Sequence, residues 1–339
     1  MLRALDGLGL VGGLLRLRRV VSLPWLTSFC YHRTMEPTLA HGGDSGTVDA
    51  TPAQFDEQVS IITDHFRLVS LDELVAHIER GAKLPPNPAL LTFDDGYKEC
   101  LTTSLPVLAR RGARAAFFIP TDFVTERRMF WWDRIARIVK RSTASEIAID
   151  YPFRLVLAKN DAVAALLAIV KRTRALDLPR FLEELERAAG VTIERDEERR
   201  FVDDTLLTWD EVKALSDAGM DVGSHTRTHR VLATLTPDAF EEELRGSRVE
   251  LEERLDRPIK TIAYPVGYPL DTHSPLREAV RDAGYAIGFT CRAGAMRTNG
   301  ATDPLDVPRL LMDVGYGRQD FAAMASVPAL APRTSIDIA

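Results

Sequence analysis

A few short segments hold most of the side chains able to do chemistry in this chain. Thr92-Phe93-Asp94-Asp95-Gly96 sets two carboxylates side by side directly after an apolar run, and His225-Thr-Arg-Thr-His229 sets two imidazoles four residues apart. Adjacent carboxylates at the end of a buried strand repel each other, and burial adds a desolvation cost. Two arrangements relieve this: one carboxylate caps the next helix while the other faces water, or a divalent cation neutralises one and leaves its neighbour as a base. The i, i+4 spacing of His225 and His229, read as a helical turn, puts both imidazoles on one face. Asp95 with His225 and His229 forms a two-histidine, one-carboxylate set. Such a set suits Zn²⁺ with an open position for water, and equally non-haem Fe²⁺. No glutamate follows His225, so this is not the HExxH arrangement. The base must come from elsewhere, and Asp94 is the obvious group.

These residues need a scaffold that brings distant segments together. Short apolar runs at Trp25–Tyr31, Ala89–Phe93, Arg114–Ile119, Met220–Ser224, Lys260–Tyr264, Ala286–Thr290 and Val307–Leu311 read as strands. Between them lie amphipathic segments at Thr51–His65, Leu71–Arg80, Trp209–Ala218, Pro237–Leu255 and Ser274–Ala283. This alternation predicts parallel strands covered by helices. In a parallel α/β barrel, the strand C-termini and the loops after them build the site. Tyr31-His32-Arg33, Asp94-Asp95, Ser224-His225, Tyr264-Pro265-Val266-Gly267 and Pro308-Arg309 all fall there. Residues of about 126–200 break the rhythm and read as a mostly helical insertion that packs on the barrel as a lid or wall.

Composition narrows the class. The 339 residues are 45% hydrophobic and 27% charged with a net charge of −6, which excludes disorder and argues against a nucleic-acid coat. No run of 18 apolar residues occurs, so a transmembrane helix is not expected. Cys30, Cys100 and Cys291 lie far apart without a CxxC pair. They read as reduced thiols in a reducing compartment, which points to the cytoplasm. Near the N-terminus, Leu8–Leu15 is apolar but is followed, not preceded, by the positive charges Arg16, Arg18 and Arg19, the reverse of a secretory signal. Residues 2–19 read instead as an amphipathic helix lying on the domain, a partner or a membrane surface. The expected organisation is an N-terminal segment at 1–24, a barrel at 25–325 and a tail at 326–339.

The motifs carry a resemblance. TFDDG at 92–96, SHTRTH at 224–229 and AYPVG at 263–267 resemble, in order, three motifs of the polysaccharide deacetylases, carbohydrate esterase family 4, with their NodB-homology domain. The resemblance runs from about residue 25 to 315, broken by the insertion. It implies an α/β fold of the distorted (β/α)₇ TIM-like barrel type. It also implies a metal-dependent N-deacetylase that releases acetate from N-acetylated amino sugars in a polysaccharide, an oligosaccharide or a glycan precursor. By position, Asp95, His225 and His229 bind one divalent metal, Zn²⁺ first, with Co²⁺, Ni²⁺ or Fe²⁺ as alternatives. Asp94 is the general base, and the Val266 amide helps hold the oxyanion.

The chain departs from the pattern in three places. Ala263 stands where the family has an arginine that holds the base, and Arg309 on a later strand end can take that role. Val266 replaces a tyrosine. The late Leu-x-His that supplies the general acid is missing. Tyr31-His32 resembles permuted exopolysaccharide-type relatives that carry the acid histidine near the N-terminus, which favours His32 over His273. Tyr97, Trp132, Tyr264 and Pro265 are the expected sugar contacts, since aromatic faces suit pyranose rings; Trp131 shares this reading with one as a core anchor. Arg227 is expected to face an anionic substrate group or solvent. A catalytically inactive sugar-binding domain and a two-histidine-one-carboxylate iron enzyme are the alternatives.

Overall fold

A strand covered on both faces is buried residue after residue, and Trp25–Tyr31 (β1), after its half-buried first residue, and Pro88–Phe93 (β2) are so buried, their polar Thr27, Ser28 and Thr92 included. The computed structural model describes residues 13, 15, 18, 21, 23–39, 43–272, 274–300 and 302–332. Beside the short strand Arg67–Leu68, which pairs in parallel with β2, five further strands complete the parallel part of the main sheet: Ala116–Ile119 (β3), Asp221–Ser224 (β4), Thr261–Ala263 (β5), Ile287–Phe289 (β6) and Leu310–Leu311 (β7). All pair in parallel, in the order β6-β5-β4-β3-β2-β1-β7. A short antiparallel strand, Met296–Arg297, joins the N-terminal end of β1 and makes the sheet mixed.

The sheet curls strongly into a distorted barrel. Val307 bridges to Phe289 in β6, with Thr290 N–H donating to Val307 O at 2.9 Å and Val307 N–H to Gly288 O at 2.9 Å. The strand expected over Val307–Leu311 is therefore split: Val307 pairs with β6, while Leu310 and Leu311 pair with β1. Pro308 lies between them, and without an N–H it cannot carry a ladder through. Alternate strand residues go to different layers. Leu90, Ala116, Phe118, Ala263 and Phe289 form one cluster, while Phe29, Tyr31, Leu91, Phe93, Phe117 and Ile119 pack with the helix at Pro52–His65 in another. Parallel register brings every strand's C-terminal end to one rim. Tyr31 pairs with Phe93 and Ile119 with Ser224, so His32, Asp94 and His225 emerge at the same level.

Local signals set the helix starts. Thr51, Ser70 and Thr208 each cap a helix through a reciprocal box with Gln54, Glu73 and Glu211. The helix expected over Pro237–Leu255 forms with a π-type turn at Glu242–Gly246 in its middle. Between β3 and β4, helices at Trp131–Arg141, Lys159–Arg172, Leu178–Ala189 and Arg195–Thr205 enclose their own core of Trp131, Ile135, Ile138, Leu166, Phe181, Leu185 and Val202. An antiparallel hairpin, Glu146–Ile149 with Leu155–Ala158, sits among them. Only four residues on each side alternate, too short a run to register as a strand pattern.

Of the N-terminal segment, Leu15 joins the barrel core, and Arg18 donates to Ala325 O at 2.7 Å and Ser326 O at 3.2 Å. A cation is thus placed on the carbonyls that end the helix at Arg318–Ser326. The rest of residues 2–19 lies mostly outside the described residues. No helix among the described residues is long and apolar enough to cross a membrane.

Asp133 anchors the insertion to the loop after β1. Its Oδ1 accepts the Asp44 amide at 2.7 Å, while its buried Oδ2 has no partner. Burial pushes its carboxyl up to about 7, against the partial relief of the Asp44 amide and Arg33. The folded chain therefore holds a proton here that the unfolded chain has released, and the associated stability is present below about pH 4 and lost as pH rises to about 7. Asp133→Asn is expected to remove that slope. Its melting temperature should exceed the parent's by a few degrees at pH 8 and match it at pH 4.5; parallel pH–stability curves would contradict the assignment.

Candidate active site

Asp94 begins the turn after β2, with its amide donating to Tyr31 O at 2.8 Å. Asp95 and Gly96 then adopt left-handed backbone, φ 72° and 68°. For a residue with a Cβ this conformation is costly and persists only where the surroundings impose it. The turn separates the two carboxylates. Asp94 faces Arg309, which donates from Nη1 to Oδ1 and from Nη2 to Oδ2, both at 2.7 Å. Arg309 is itself fully buried and also donates to Thr92 Oγ1 at 3.1 Å and Thr290 O at 3.3 Å. Burial raises the Asp94 carboxyl, yet the guanidinium outweighs it and holds Asp94 well below the ordinary carboxylate range. Arg309 thus makes the contact with Asp94 that was expected of it.

Asp95 points the other way. Its Oδ1 lies 3.4 Å from His225 Nε2 and 3.3 Å from His229 Nε2, and it has no hydrogen-bond partner although buried. A tetrahedron with metal–ligand bonds of about 2.0–2.1 Å has edges of roughly 3.4 Å, so this spacing fits one ion held by all three atoms. The orphaned Oδ1 fits it too, because a buried carboxylate oxygen without a donor is otherwise costly. His225 Nδ1 is 2.8 Å from Ala263 O, which assigns the proton to Nδ1 and leaves the Nε2 lone pair free to ligate. Burial drives His229 down to about 3, leaving a neutral imidazole. For His225, burial is overcome by the charges of Asp94 and Asp95, and its pKa is raised.

The segment carrying the histidines corrects one expectation. Residues 225–229 form no helical turn: Thr226 and His229 have φ 63° and 51°. The imidazoles meet because the loop doubles back, and Glu243 holds it there. This carboxylate, inside the π-type turn, accepts from Arg227 N at 2.8 Å and Thr228 N at 2.9 Å and also bonds the Thr228 hydroxyl. One extra residue per turn re-aims a helix side chain, and such turns recur at functional sites. Glu243 escaped the sequence reading because it sits within an ordinary charged helix face. Arg227 faces away, paired with Asp122 at 3.0 Å and with Glu242. Glu243→Ala is expected to weaken divalent-metal affinity by about 10–100-fold with the fold intact, measured by competition with a chromophoric chelator; unchanged affinity would remove Glu243 from this role.

His32 is the third histidine at the rim. Its ring Nδ1 lies 3.0 Å from Asp49 Oδ2, and its backbone N–H donates to the same oxygen. Burial disfavours the imidazolium, but the Asp49 charge and hydrogen bond win and push the pKa up to about 10. Asp49, from the short strand Val48–Ala50, was not singled out from the sequence. His273 lies outside the described residues.

These groups open into a cavity of about 240 Å³ lined by His32, Asp94, Asp95, His225, His229 and Val266, with Trp131 and Trp132 on the insertion side. Val266 has φ 63°, an outlier for a β-branched residue. Gly267 follows at φ 74°, where a Cβ would lie 2.4 Å from that of Cys291. The Trp132 ring lies 4.5 Å from His229, and Trp131 Nε1 donates to His229 O at 3.3 Å. The other expected sugar contacts fall behind the wall. Tyr97 is fully buried and accepts from Trp132 Nε1 at 2.8 Å. Tyr264 is buried against Gly288 with its hydroxyl on Leu305 O at 3.1 Å. Pro265 is buried and does not line the cavity. A large ring at a loop start looks the same in sequence whether it turns in or out. The cysteines are free and buried, and Cys30 and Cys291 meet beneath Asp94, with Cys30 Sγ 3.5 Å from Asp94 Oδ2.

Comparison with known proteins agrees with this architecture. Among solved structures, the chain superposes on the Streptococcus pyogenes deacetylase PplD in complex with acetate at TM-score 0.55 and 17% identity, covering 88% of this chain and 96% of that one. It superposes on IcaB from Ammonifex degensii at 0.55 and 20%, covering 90% and 97%. A de-N-acetylase from Aggregatibacter actinomycetemcomitans gives 0.54 and 13%, covering 87% and 98%. No curated protein matches the sequence. The sequence profile of the polysaccharide deacetylase family matches residues 81–148 and 156–288, over half of the chain and including both the TFDDG and the SHTRTH segments. With the profile, the curled barrel and the Asp-His-His cluster in agreement, the chain belongs to the polysaccharide deacetylase family.

Proposed function

We propose that this protein is a metal-dependent hydrolase that removes N-acetyl groups from amino sugars and releases acetate. The observation that carries the reading is the convergence of Asp95 Oδ1, His225 Nε2 and His229 Nε2 beside a second carboxylate clamped by Arg309. Acetate, the product this reading requires, is the ligand of the S. pyogenes deacetylase PplD. A divalent ion held by the three donors, Zn²⁺ by the chemistry of the set, supplies a Lewis acid for the acetyl carbonyl and lowers the pKa of a water beside it toward about 7.

Asp94 takes the proton of the attacking water. Arg309 keeps Asp94 ionised and aimed, at the cost of basicity, so the arrangement suits a water that is already acidified. The Val266 amide, on the turn over the cavity, donates to the oxyanion of the tetrahedral intermediate. The departing amine is a poor leaving group and needs a proton. His32, kept as imidazolium by Asp49, supplies it from Nε2.

Protein purified without chelators is expected to carry or take up one divalent ion and to release acetate from N-acetylated chito-oligosaccharides. A protein that neither holds nor accepts a transition ion overturns the reading. His32→Gln is expected to lower acetate release from the amide by about 10²–10⁴. Hydrolysis of 4-nitrophenyl acetate, whose leaving group needs no proton, should fall far less. Equal losses on both substrates would assign His32 a structural role instead.

A further inference from the structure

The insertion helix Lys159–Arg172 shows the cavity two residues of its own, Leu167 and Lys171, spaced one turn apart. Its neighbouring positions Leu166, Ile169 and Val170 are buried in the insertion core, so the helix is fixed and its cavity face with it. Asp44, Gly46 and Thr47 line the same cavity. Asp44 is tied down, its amide on Asp133 Oδ1 at 2.7 Å and its own Oδ1 accepting the Gly46 amide at 3.0 Å.

The other cations at this end are engaged. Arg309 is spent on Asp94, His32 on Asp49, Arg33 on Glu99 and Lys140 on Gly43 O. Lys171 differs: its ammonium makes no ion pair and no hydrogen bond among the described residues. Burial lowers its pKa, with Asp44 and then Asp95 pulling the other way. A basic residue in the last turn of a helix also favours the helix dipole. That accounts for the residue type, but not for a half-buried side chain in a cavity wall that makes no ion pair among the described residues. A lysine in such a place is a point charge waiting for an anion.

We propose that Lys171 recognises an anionic group, a phosphate ester or a carboxylate, carried by the acetylated sugar or by the residue joined to it. The inference rests on the deacetylase reading above and deepens it. Its geometric basis is size: a cavity of about 240 Å³ is small for a ligand site and holds roughly one sugar ring. Lys171 and Asp95 line the same small space, so the anion lies within a ring's width of the acetamide. A neutral homopolymer of N-acetylglucosamine leaves Lys171 unpaired.

The test compares ligands, independently of turnover, on protein stripped of divalent ions with a chelator, which leaves the Arg309–Asp94 pair intact. Binding is measured by calorimetry for N-acetylglucosamine 1-phosphate, for a glucuronate-linked N-acetylglucosamine disaccharide, and for neutral N,N′-diacetylchitobiose. At least one anionic ligand is expected to bind tenfold or more tightly than the neutral one, and the arm that does so identifies phosphate or carboxylate as the group. Lys171→Met, similar in length, should bring that ratio close to one, and Lys171→Arg should retain most of it. A ratio near one in the parent, or a preference that survives Lys171→Met, overturns the proposal. If Lys171 only neutralises Asp44, Lys171→Met lowers the melting temperature without changing the ratio, which also overturns it. Absence of acetate release from all three ligands by the unmutated protein counts against the deacetylase reading, while the binding ratio still decides Lys171.

Discussion

Asp94→Asn is expected to retain its metal and to lose acetate release by about a thousandfold or more. The carboxylate lines the cavity with one oxygen 3.8 Å from His225 Nε2 and stands outside the Asp95-His225-His229 donor set. A positioned general base contributes about 10²–10⁴ in rate, and an amide in its place accepts no proton at neutral pH. The substitution also disturbs the Arg309 clamp, because an asparagine NH₂ meets a guanidinium N–H where an oxygen stood. Thermal melting of the same preparation therefore accompanies the assay. Metal content by mass spectrometry should stay near one equivalent, since the donors are on Asp95, His225 and His229. His229→Ala gives the contrast, with metal and activity lost together. A near-normal rate in Asp94→Asn would move the base elsewhere.

Arg309→Met is expected to cost both stability and turnover. Arg309 and Asp94 are buried together and share two hydrogen bonds of 2.7 Å. Removing one partner of a buried pair leaves an uncompensated charge, a loss of about 3–5 kcal/mol, which is a large part of the 5–15 kcal/mol that holds a typical domain. Without the guanidinium, burial raises the Asp94 carboxyl against only the pull of His225 and His32, so that the base is protonated at pH values where it should accept. The activity that remains should shift to higher pH. Adding Asp94→Asn is expected to recover part of the stability, because the orphaned charge goes with it, and none of the activity. Denaturation curves for the two single variants and the double complete the cycle. Additive losses would mean that the two residues are not coupled, and the clamp would then not be what holds the base.

How much of this was open to inspection in the residues alone differs from part to part. The β/α rhythm and the alignment of functional groups with strand ends are local properties, written in short runs; the Asp95-His225-His229 grouping was legible from motifs at two separate strand ends, although its histidines meet through a doubled-back loop and not through helical spacing. Apolar stretches bounded by turn residues specify strands, and parallel strands with covering helices leave one rim for chemistry. His32 was legible for a related reason, since it directly follows β1 at that rim, whereas Arg309, between the Val307 bridge and β7, was singled out because Ala263 stands where the family has an arginine.

Contacts between segments far apart in the chain were decided by the tertiary structure. Glu243 is sixteen residues from Arg227 and reaches the histidine loop only because its helix carries a wider turn, which no periodicity announces. Asp49 meets His32, and Cys30 meets Cys291, through strand packing rather than spacing. Tyr97 and Tyr264 turned into the core while Trp132 turned toward the cavity. Side-chain direction at a loop depends on one or two backbone dihedrals and on what already fills the space behind. Lys171 is the clearest case: by sequence it is one more basic residue at the end of an amphipathic helix. Only the seating of the insertion on the barrel brings it to the cavity wall with no ion pair among the described residues.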